Sequence, residues 1–172
     1  MDCYVVFMII CPETPEDIQN IRDLVTSAFE DAPHSDRTEA FIVDGLREAG
    51  ALTISLVVVQ ADRIVGHVAF SPVAIEGAGA GWYGLGPVAV HPDYQKTGIG
   101  TKLIEAGLAK LKALSASGCV VLGDPQYYAR FNFKCDPALV FRGAPVEYFQ
   151  CLDFTNEPRH GTVFYHEAFY GA

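Results

Sequence analysis

The feature that most constrains the fold is the segment 84–100, GLGPVAVHPDYQKTGIG, which leads into an amphipathic helix ending near Ser117. It runs from an apolar strand through a turn to a short polar loop with two glycines. The first amides of a helix lack intrahelical acceptors and lie at the positive end of the helix dipole, which favours phosphate. Because glycine has no side chain, Gly98 and Gly100 leave those amides open to a bulky anion. The segment predicts a site for a phosphorylated ligand, to which the rest of the chain presents a second substrate.

Length and composition indicate one globular domain. The chain has 172 residues, of which half are hydrophobic and 19% are charged. This is enough for a substantial core, and we expect a single domain over 1–172, with residues 1–7 a possible N-terminal extension. No apolar run approaches the roughly 20 residues that span a bilayer, so we expect no membrane association.

Charge and cysteine content limit the partners and the compartment. The net charge of −9 argues against a nucleic-acid partner, which needs a basic surface, and is compatible with an amine or cationic substrate. Five cysteines and five histidines are scattered without C-x-x-C spacing. We therefore expect reduced cysteines, a cytoplasmic location and no metal site.

Apolar periodicity predicts strands alternating with helices. Thr14 and Pro15 are typical of a helix start, and Gly118 is expected to cap the helix that follows the glycine loop. Pro87, inside an apolar strand, indicates a sheet edge or a bulge, and a bulge there would open the sheet just before the loop. The predicted strands are 9–11, 54–60, 64–71, 82–90, 119–122, 146–154 and 162–169, and the predicted helices are 15–29, 37–49, 98–117 and 126–132.

The strand ending Val88-Ala89-Val90, the turn His91-Pro92-Asp93-Tyr94 and the loop Gln95-Lys96-Thr97-Gly98-Ile99-Gly100 together resemble the GNAT family of N-acetyltransferases. The family's loop signature is Gln/Arg-x-x-Gly-x-Gly/Ala. The segment 123–133, GDPQYYARFNF, is similar to that of the YhbS-like subgroup of bacterial acetyltransferases. The order of elements from residue 9 to 169 also fits, so the resemblance covers nearly the whole chain. It implies an α/β (α+β) domain with a mixed sheet of about six or seven strands and about four helices, splayed between strands 82–90 and 119–122.

The resemblance also implies a donor, an acceptor and a set of site residues. The donor is acetyl-CoA, and the acceptor is a small-molecule amine or a protein or peptide amine, bound by a monomer or homodimer. Backbone groups of Val88, Ala89 and Val90 would hold the pantetheine arm in the manner of an added strand. The diphosphate would lie on the amides of Gln95, Lys96, Thr97, Gly98, Ile99, Gly100 and Thr101.

Tyr128 matches the tyrosine whose hydroxyl, in the family, lies near the thioester sulfur. A tyrosine hydroxyl has an ordinary pKa of about 10 and a thiol one of about 8.5, so proton donation to the leaving thiolate is only modestly uphill. A bulge at Gly86-Pro87 would free the Val88 N–H to stabilise the oxyanion. Asn132 replaces the family's usual glycine, and asparagine also tolerates left-handed backbone angles.

The sequence does not assign a general base. Many family members carry a glutamate on the strand before the loop, whereas 82–87 reads WYGLGP. His67, Asp124, Glu39 and His34 are candidates, although each is more often structural or solvated. Deprotonation through ordered water, or by solvent, needs no such residue.

Two other functions fit parts of the sequence. A dinucleotide-binding protein is suggested by Gly98-x-Gly100 with Asp124 further along, but Leu103 occupies the third-glycine position and the loop does not follow its strand directly. A binding module of the same fold, which senses acyl-CoA without transferring the acyl group, stays open because the strand lacks an acid.

Overall fold

The computed structural model describes residues 7–157 and 159–171, and it is built around one mixed sheet. Six strands form the central sheet in the order β1-β2-β3-β5-β6-β8, and three short strands form a second sheet in the order β4-β9-β7. The strands are β1 (Met8–Pro12), β2 (Ile54–Gln60), β3 (Arg63–Pro72), β4 (Ala74–Ile75), β5 (Trp82–Val90), β6 (Gly118–Leu122), β7 (Leu139–Val140), β8 (Phe149–Asp153) and β9 (Gly161–Phe164). The helices are α1 (Ile18–Phe29), α2 (Glu39–Glu48), α3 (Ile99–Ala113) and α4 (Pro125–Tyr128).

The two faces of the central sheet are covered by different helices. On one face, Leu103, Ile104 and Leu111 of α3 are buried against the sheet. On the other face, Ile21 and Val25 of α1 pack with residues of α2. The apolar stripes that predicted these helices are the surfaces that they bury, as expected for amphipathic helices.

The pairing of the strands confirms the predicted hairpin and the predicted splay. β2 and β3 form an antiparallel hairpin, in which Ala61 and Asp62 of the tight turn both have positive φ. β5 and β6 run parallel but pair over only four residues, from Trp82↔Gly118 to Leu85↔Val121. β5 continues to Val90 along β3, so beyond Leu85 it has a free edge.

The predicted bulge in β5 is also confirmed. Val68 of β3 pairs with Val88, whereas Phe70 pairs with Leu85, so one extra residue of β5 is accommodated at Gly86-Pro87. Gly86 has φ +134°, a conformation that other residues rarely adopt.

Several predicted element ends were wrong. α3 ends at Ala113 rather than Ser117, and Ser115, with φ 58°, follows it. Gly118 does not cap the helix but begins β6, where an added Cβ would lie 2.5 Å from the Trp82 ring. Packing, rather than helix termination, therefore requires this glycine.

The second helix and the C-terminal strands are shorter than predicted. α2 begins at Glu39, because Arg37 has φ 60° and cannot be helical. In place of longer strands, short 3₁₀ turns precede β8 at Val146–Tyr148 and follow β9 at Glu167–Tyr170. The possible extension at 1–7 lies, apart from Phe7, outside the described residues. In the described ranges, no helix is both long enough and apolar enough to cross a membrane.

Candidate functional site

The loop between β5 and α3 presents a row of backbone amides. Lys96 and Gly98 have φ 62° and 88°, and these left-handed angles turn successive N–H groups toward one side. The first helical bond runs from the Lys102 N–H to the Gly98 carbonyl, at 3.1 Å. Within the described ranges, the amides of residues 96–101 have no protein acceptor. The amides predicted to hold the diphosphate are therefore open donors at a helix start, and their binding of an anion stays a prediction.

A cavity of about 440 Å³ opens directly on this row. Gly100 forms part of its floor, where an added Cβ would lie 3.2 Å from the Tyr127 hydroxyl. The lining residues are Val90, Tyr94, Gln95, Lys96, Gly98, Ile99, Gly100, Thr101, Tyr127 and Arg130. Seven of these ten belong to the predicted set of site residues. Thr97 lies in the same loop, and its hydroxyl donates to the Tyr94 carbonyl.

Three lining residues, Tyr94, Tyr127 and Arg130, were not among the predicted site residues. The Arg130 guanidinium lies over the Tyr127 ring, 4.3 Å from its centroid, and its Nε donates to the Tyr127 carbonyl at 2.9 Å. The sequence signal for this pair was weak, since it was only an arginine three residues after a tyrosine. Their position beside the loop depends on the tertiary fold. Arg130 brings a positive charge to the amide row.

Two residues on the free edge of β5, Val88 and Val90, point their backbone N–H and C=O groups into the gap between β5 and β6. The His91 N–H donates to the Val65 carbonyl at 2.9 Å. Because bonding alternates along an antiparallel pair, Ala89 faces β3, whereas the N–H and C=O groups of Val88 and Val90 face away from it. The Val90 carbonyl accepts from Gln95 Nε2 at 3.2 Å.

This geometry distinguishes the three strand residues that were predicted together. Val88 and Val90 can pair with an extended ligand at the edge vacated by β6. Ala89 is 1% exposed and packs in the cluster under α1, so its position differs from theirs.

Tyr128 lies at the end of α4, just beyond the carboxyl end of β6. Asp124 begins this helix, its Oδ1 accepting from the Gln126 N–H at 2.9 Å. The Tyr128 ring packs on Gly123 and meets Phe133 edge-on at 6.0 Å between centroids. Asn132, with φ 68°, adopts the left-handed angle predicted for it.

Burial raises the pKa of Tyr128 well above its ordinary value, and Tyr127 and Cys119 raise it further. The hydroxyl therefore stays protonated throughout the physiological pH range. It is suited to donate a proton or a hydrogen bond and is unsuited to act as a base.

Three of the four candidate bases have local roles or positions that the structure makes clear. Asp124 caps α4, as described above. His34 is exposed in the loop between α1 and α2. Glu39 accepts from the Ser35 hydroxyl at 2.7 Å through Oε1, while its Oε2 is buried without a hydrogen-bond partner among the described residues.

His67 belongs to a polar network on the face covered by α1 and α2. Its Nε2 lies 2.8 Å from the Ser55 hydroxyl, which also contacts a Glu13 oxygen. Arg47 binds Glu13 through two bonds, of 2.8 and 3.1 Å. Burial lowers the pKa of His67 to about 4, with Arg47 reinforcing the effect and Glu13 opposing it. The ring is therefore neutral near pH 7.

Comparisons with known proteins agree with these features. A family model described as an acetyltransferase (GNAT) domain matches residues 52–135. The chain is 39% identical over 128 residues to the uncharacterized N-acetyltransferase YhbS of Escherichia coli K12, an alignment that covers 74% of each chain. The chain belongs to the GNAT family of acetyltransferases.

Two solved GNAT structures cover almost all of this chain. A GNAT family acetyltransferase from Brucella melitensis, in complex with acetyl-CoA, is 48% identical with a TM-score of 0.85, covering 95% of this chain and 98% of that one. YhbS from Escherichia coli, in complex with CoA, is 32% identical with a TM-score of 0.89, covering 99% and 96%. The GNAT fold predicted from the sequence is thus confirmed.

In the ranges that the structure describes, no group of three or more His, Cys, Asp or Glu side chains is arranged to hold a metal ion.

Proposed function

We propose that this GNAT domain is an acetyl-CoA-dependent N-acetyltransferase that moves the acetyl group to a primary amine by direct attack in a ternary complex. The observation that carries the proposal is that the backbone groups of Val88 and Val90, which do not bond β3, lie next to the open amides of the loop. The edge at Val88 and Val90 leads directly to the amide row at 96–101, so an extended pantetheine with a diphosphate at its far end fits both.

The cavity beside the loop supports the assignment of the diphosphate end. Gly98 and Gly100 allow close approach to the amides, and Arg130 supplies a charge-assisted donor. We include Tyr127 and Arg130 among the CoA-binding residues, together with those predicted from the loop. The crystal complexes of the two relatives with acetyl-CoA and CoA support the same choice of ligand.

The reaction forms a C–N bond and breaks the C–S bond of the thioester, and one amine proton ends on the sulfur of CoA. The Val88 N–H, free of β3, is placed to stabilise the oxyanion as charge develops. The Tyr128 hydroxyl is assigned to donate to the departing sulfur, consistent with its raised pKa. No residue is assigned as base, since His67 is buried and neutral and water can take the proton.

We propose that both sheets act as one domain. Trp82 of β5 and Val163 of β9 share a buried cluster, so the small sheet is packed onto the central one.

The test is incubation of the purified protein with acetyl-CoA and a panel of primary amines, with CoA thiol release and acetylated product both measured. Transfer requires both signals, and the Gly100→Glu variant should lose both. Binding of acetyl-CoA without thiol release across the panel would favour the sensing module of the same fold. The sensing function is a second candidate because β5 contains no Asp or Glu that could act as a base.

A further inference from the structure

Tyr165 is a buried tyrosine whose hydroxyl has no described partner. Its side chain is 7% exposed, and the hydroxyl oxygen is buried without a hydrogen bond to any described residue. A buried hydroxyl without a partner costs stability, because its bonds to water are lost and not replaced. Such a group is retained most readily where a ligand or ordered water completes its hydrogen bonds.

The ring of Tyr165 lies against the last paired part of β5. Its Cε1 is 2.7 Å from the position that a Cβ on Gly84 would occupy, so the glycine makes room for the ring. Gly84 is one residue before Leu85, where pairing with β6 ends. Gly86, two residues further on, has open space around its Cβ position. The ring therefore packs on β5 one residue before the pairing with β6 ends.

Tyr165 and Tyr128 approach this region from opposite faces of the sheet. Tyr128 packs with the cluster beneath α3, whereas Tyr165 belongs to the cluster shared with the small sheet. Burial raises the pKa of Tyr165, and Cys119, Tyr170 and Tyr128 raise it further. Tyr165 thus remains a neutral hydroxyl on the side away from α3.

We propose that the Tyr165 hydroxyl positions the acceptor amine, accepting a hydrogen bond from its N–H so that the nitrogen lone pair faces the acetyl carbonyl. The inference rests on the proposed transfer reaction. It adds a substrate contact from the C-terminal segment, on the face opposite Tyr128. A hydroxyl is neutral and carries both a donor and an acceptor, so it can accept from the amine N–H without adding a charge to the site.

The surrounding side chains agree with an uncharged amine. The Tyr165 ring meets Phe141 and Phe169 at 5.2 and 5.0 Å between centroids. An aromatic environment of this kind disfavours a charged ammonium without a counter-ion. The acceptor would therefore shed its proton before or during entry, which is consistent with the lack of an assigned base.

The test compares Tyr165→Phe with the wild type, using hydroxylamine as a small acceptor that is uncharged near neutral pH. Acetohydroxamate and free CoA are measured, with the uncatalysed rate subtracted. We expect kcat/KM for hydroxylamine to fall roughly tenfold, chiefly through KM, as for loss of one buried hydrogen bond. The affinity for acetyl-CoA should be unchanged. Tyr148→Phe, an exposed tyrosine on the turn before β8, is the matched control and should retain wild-type values.

Thermal unfolding without ligand supplies a second readout. Removing an unpartnered hydroxyl should leave the unfolding temperature of Tyr165→Phe unchanged or raise it. Tyr170→Phe should lower it, because the Tyr170 hydroxyl accepts from the Tyr165 N–H at 3.1 Å. A clear loss of stability in Tyr165→Phe would mean that its hydroxyl has a structural partner and would overturn the inference.

The outcomes separate the two proposals. If the wild type fails to bind acetyl-CoA, or binds it and transfers nothing to hydroxylamine, the proposed reaction and the role of Tyr165 fall together. If the wild type transfers and Tyr165→Phe keeps the same KM and kcat, the role of Tyr165 alone is overturned.

Discussion

Two regions of the molecule differ in whether their polar groups bond to the protein itself. At residues 96–101 and at Val88 and Val90 on the edge of β5, backbone amides have no protein acceptor in the described ranges. Under α1 and α2, side chains bond one another in a chain that links Glu13, Ser55 and His67 to Arg47. The comparison suggests that the first region is arranged to receive a ligand and the second to fasten helices to the sheet.

The direction of the bonds in the network supports its structural role. The hydrogen bonds from Arg47 and Ser55 outweigh burial and lower the pKa of Glu13, so it is ionised and can only accept. Ser55 must then donate to Glu13 and accept from His67 Nε2. The proton of His67 is thereby fixed on Nε2, and its Nδ1 is left buried without a partner among the described residues.

The largest effect is expected from a substitution in the loop at 96–101. Gly100→Glu adds bulk 3.2 Å from the Tyr127 hydroxyl and a negative charge beside the phosphates. We expect at least a roughly hundredfold loss of CoA affinity, about 3 kcal/mol, by isothermal titration calorimetry. Gly79→Glu makes the same change in an exposed loop with nothing within 4 Å, and it should bind CoA normally. Equal binding by both variants would contradict the role of the loop.

Tyr128→Phe tests the chemistry without disturbing the cradle. Loss of a general acid should lower kcat by roughly a hundredfold while the dissociation constant for CoA stays the same. Because the pKa of Tyr128 is raised, the wild-type rate that depends on its hydroxyl should persist at pH values where an ordinary tyrosine would ionise. The pH profile of kcat measures this limit, and unchanged turnover in the variant would remove Tyr128 from the mechanism.

The network under α1 and α2 is tested by the pH dependence of the free energy of unfolding. The pKa of His67 falls from 6.5 in the unfolded chain to about 4 in the folded one, so folding favours the neutral ring. The resulting stability is fully present above pH 6.5 and is lost as the pH falls toward 4, by about 3 kcal/mol. Glu13, whose pKa is also lowered, contributes in the same direction at lower pH.

Urea unfolding at a series of pH values measures this loss. His67→Gln, which cannot titrate, should flatten the curve between pH 6.5 and 4 even if the variant is less stable overall. An equally steep curve in this variant would show that other groups cause the acid sensitivity.

The smallest effect concerns Arg130 at the rim of the cavity. Arg130→Ala should weaken CoA binding roughly fivefold to tenfold, the range for one partly exposed charge-assisted bond. Arg130→Lys should recover part of the loss, and the difference should shrink as salt is added. A salt-independent loss would mean that Arg130 acts by packing on Tyr127 rather than by charge.

The open region could be predicted from sequence because its signals are local. Two glycines, a strand proline and a helix start lie within twenty residues of each other, and Asn132 takes its left-handed angle within a short turn. Gly118 was wrongly predicted to cap the helix. A glycine is needed there because the Trp82 ring packs against it, and Trp82 is distant in sequence. Tyr127 and Arg130 were missed for the same reason, since only the fold brings α4 to the loop.

The network and Tyr165 could not be predicted at all from local patterns. Ser55 contacts Glu13 across 42 positions of the chain and His67 across 12. Tyr165 is defined by its contact with Gly84 and by the lack of a partner for its hydroxyl. Both properties arise only when distant segments pack together.

The most direct test of the account is a crystal structure of this chain with CoA. We predict diphosphate oxygens within hydrogen-bonding distance of the amides at 96–101, and the pantetheine arm paired with Val88 and Val90 along the free edge of β5. A well-defined CoA whose diphosphate binds elsewhere on the molecule would contradict the account.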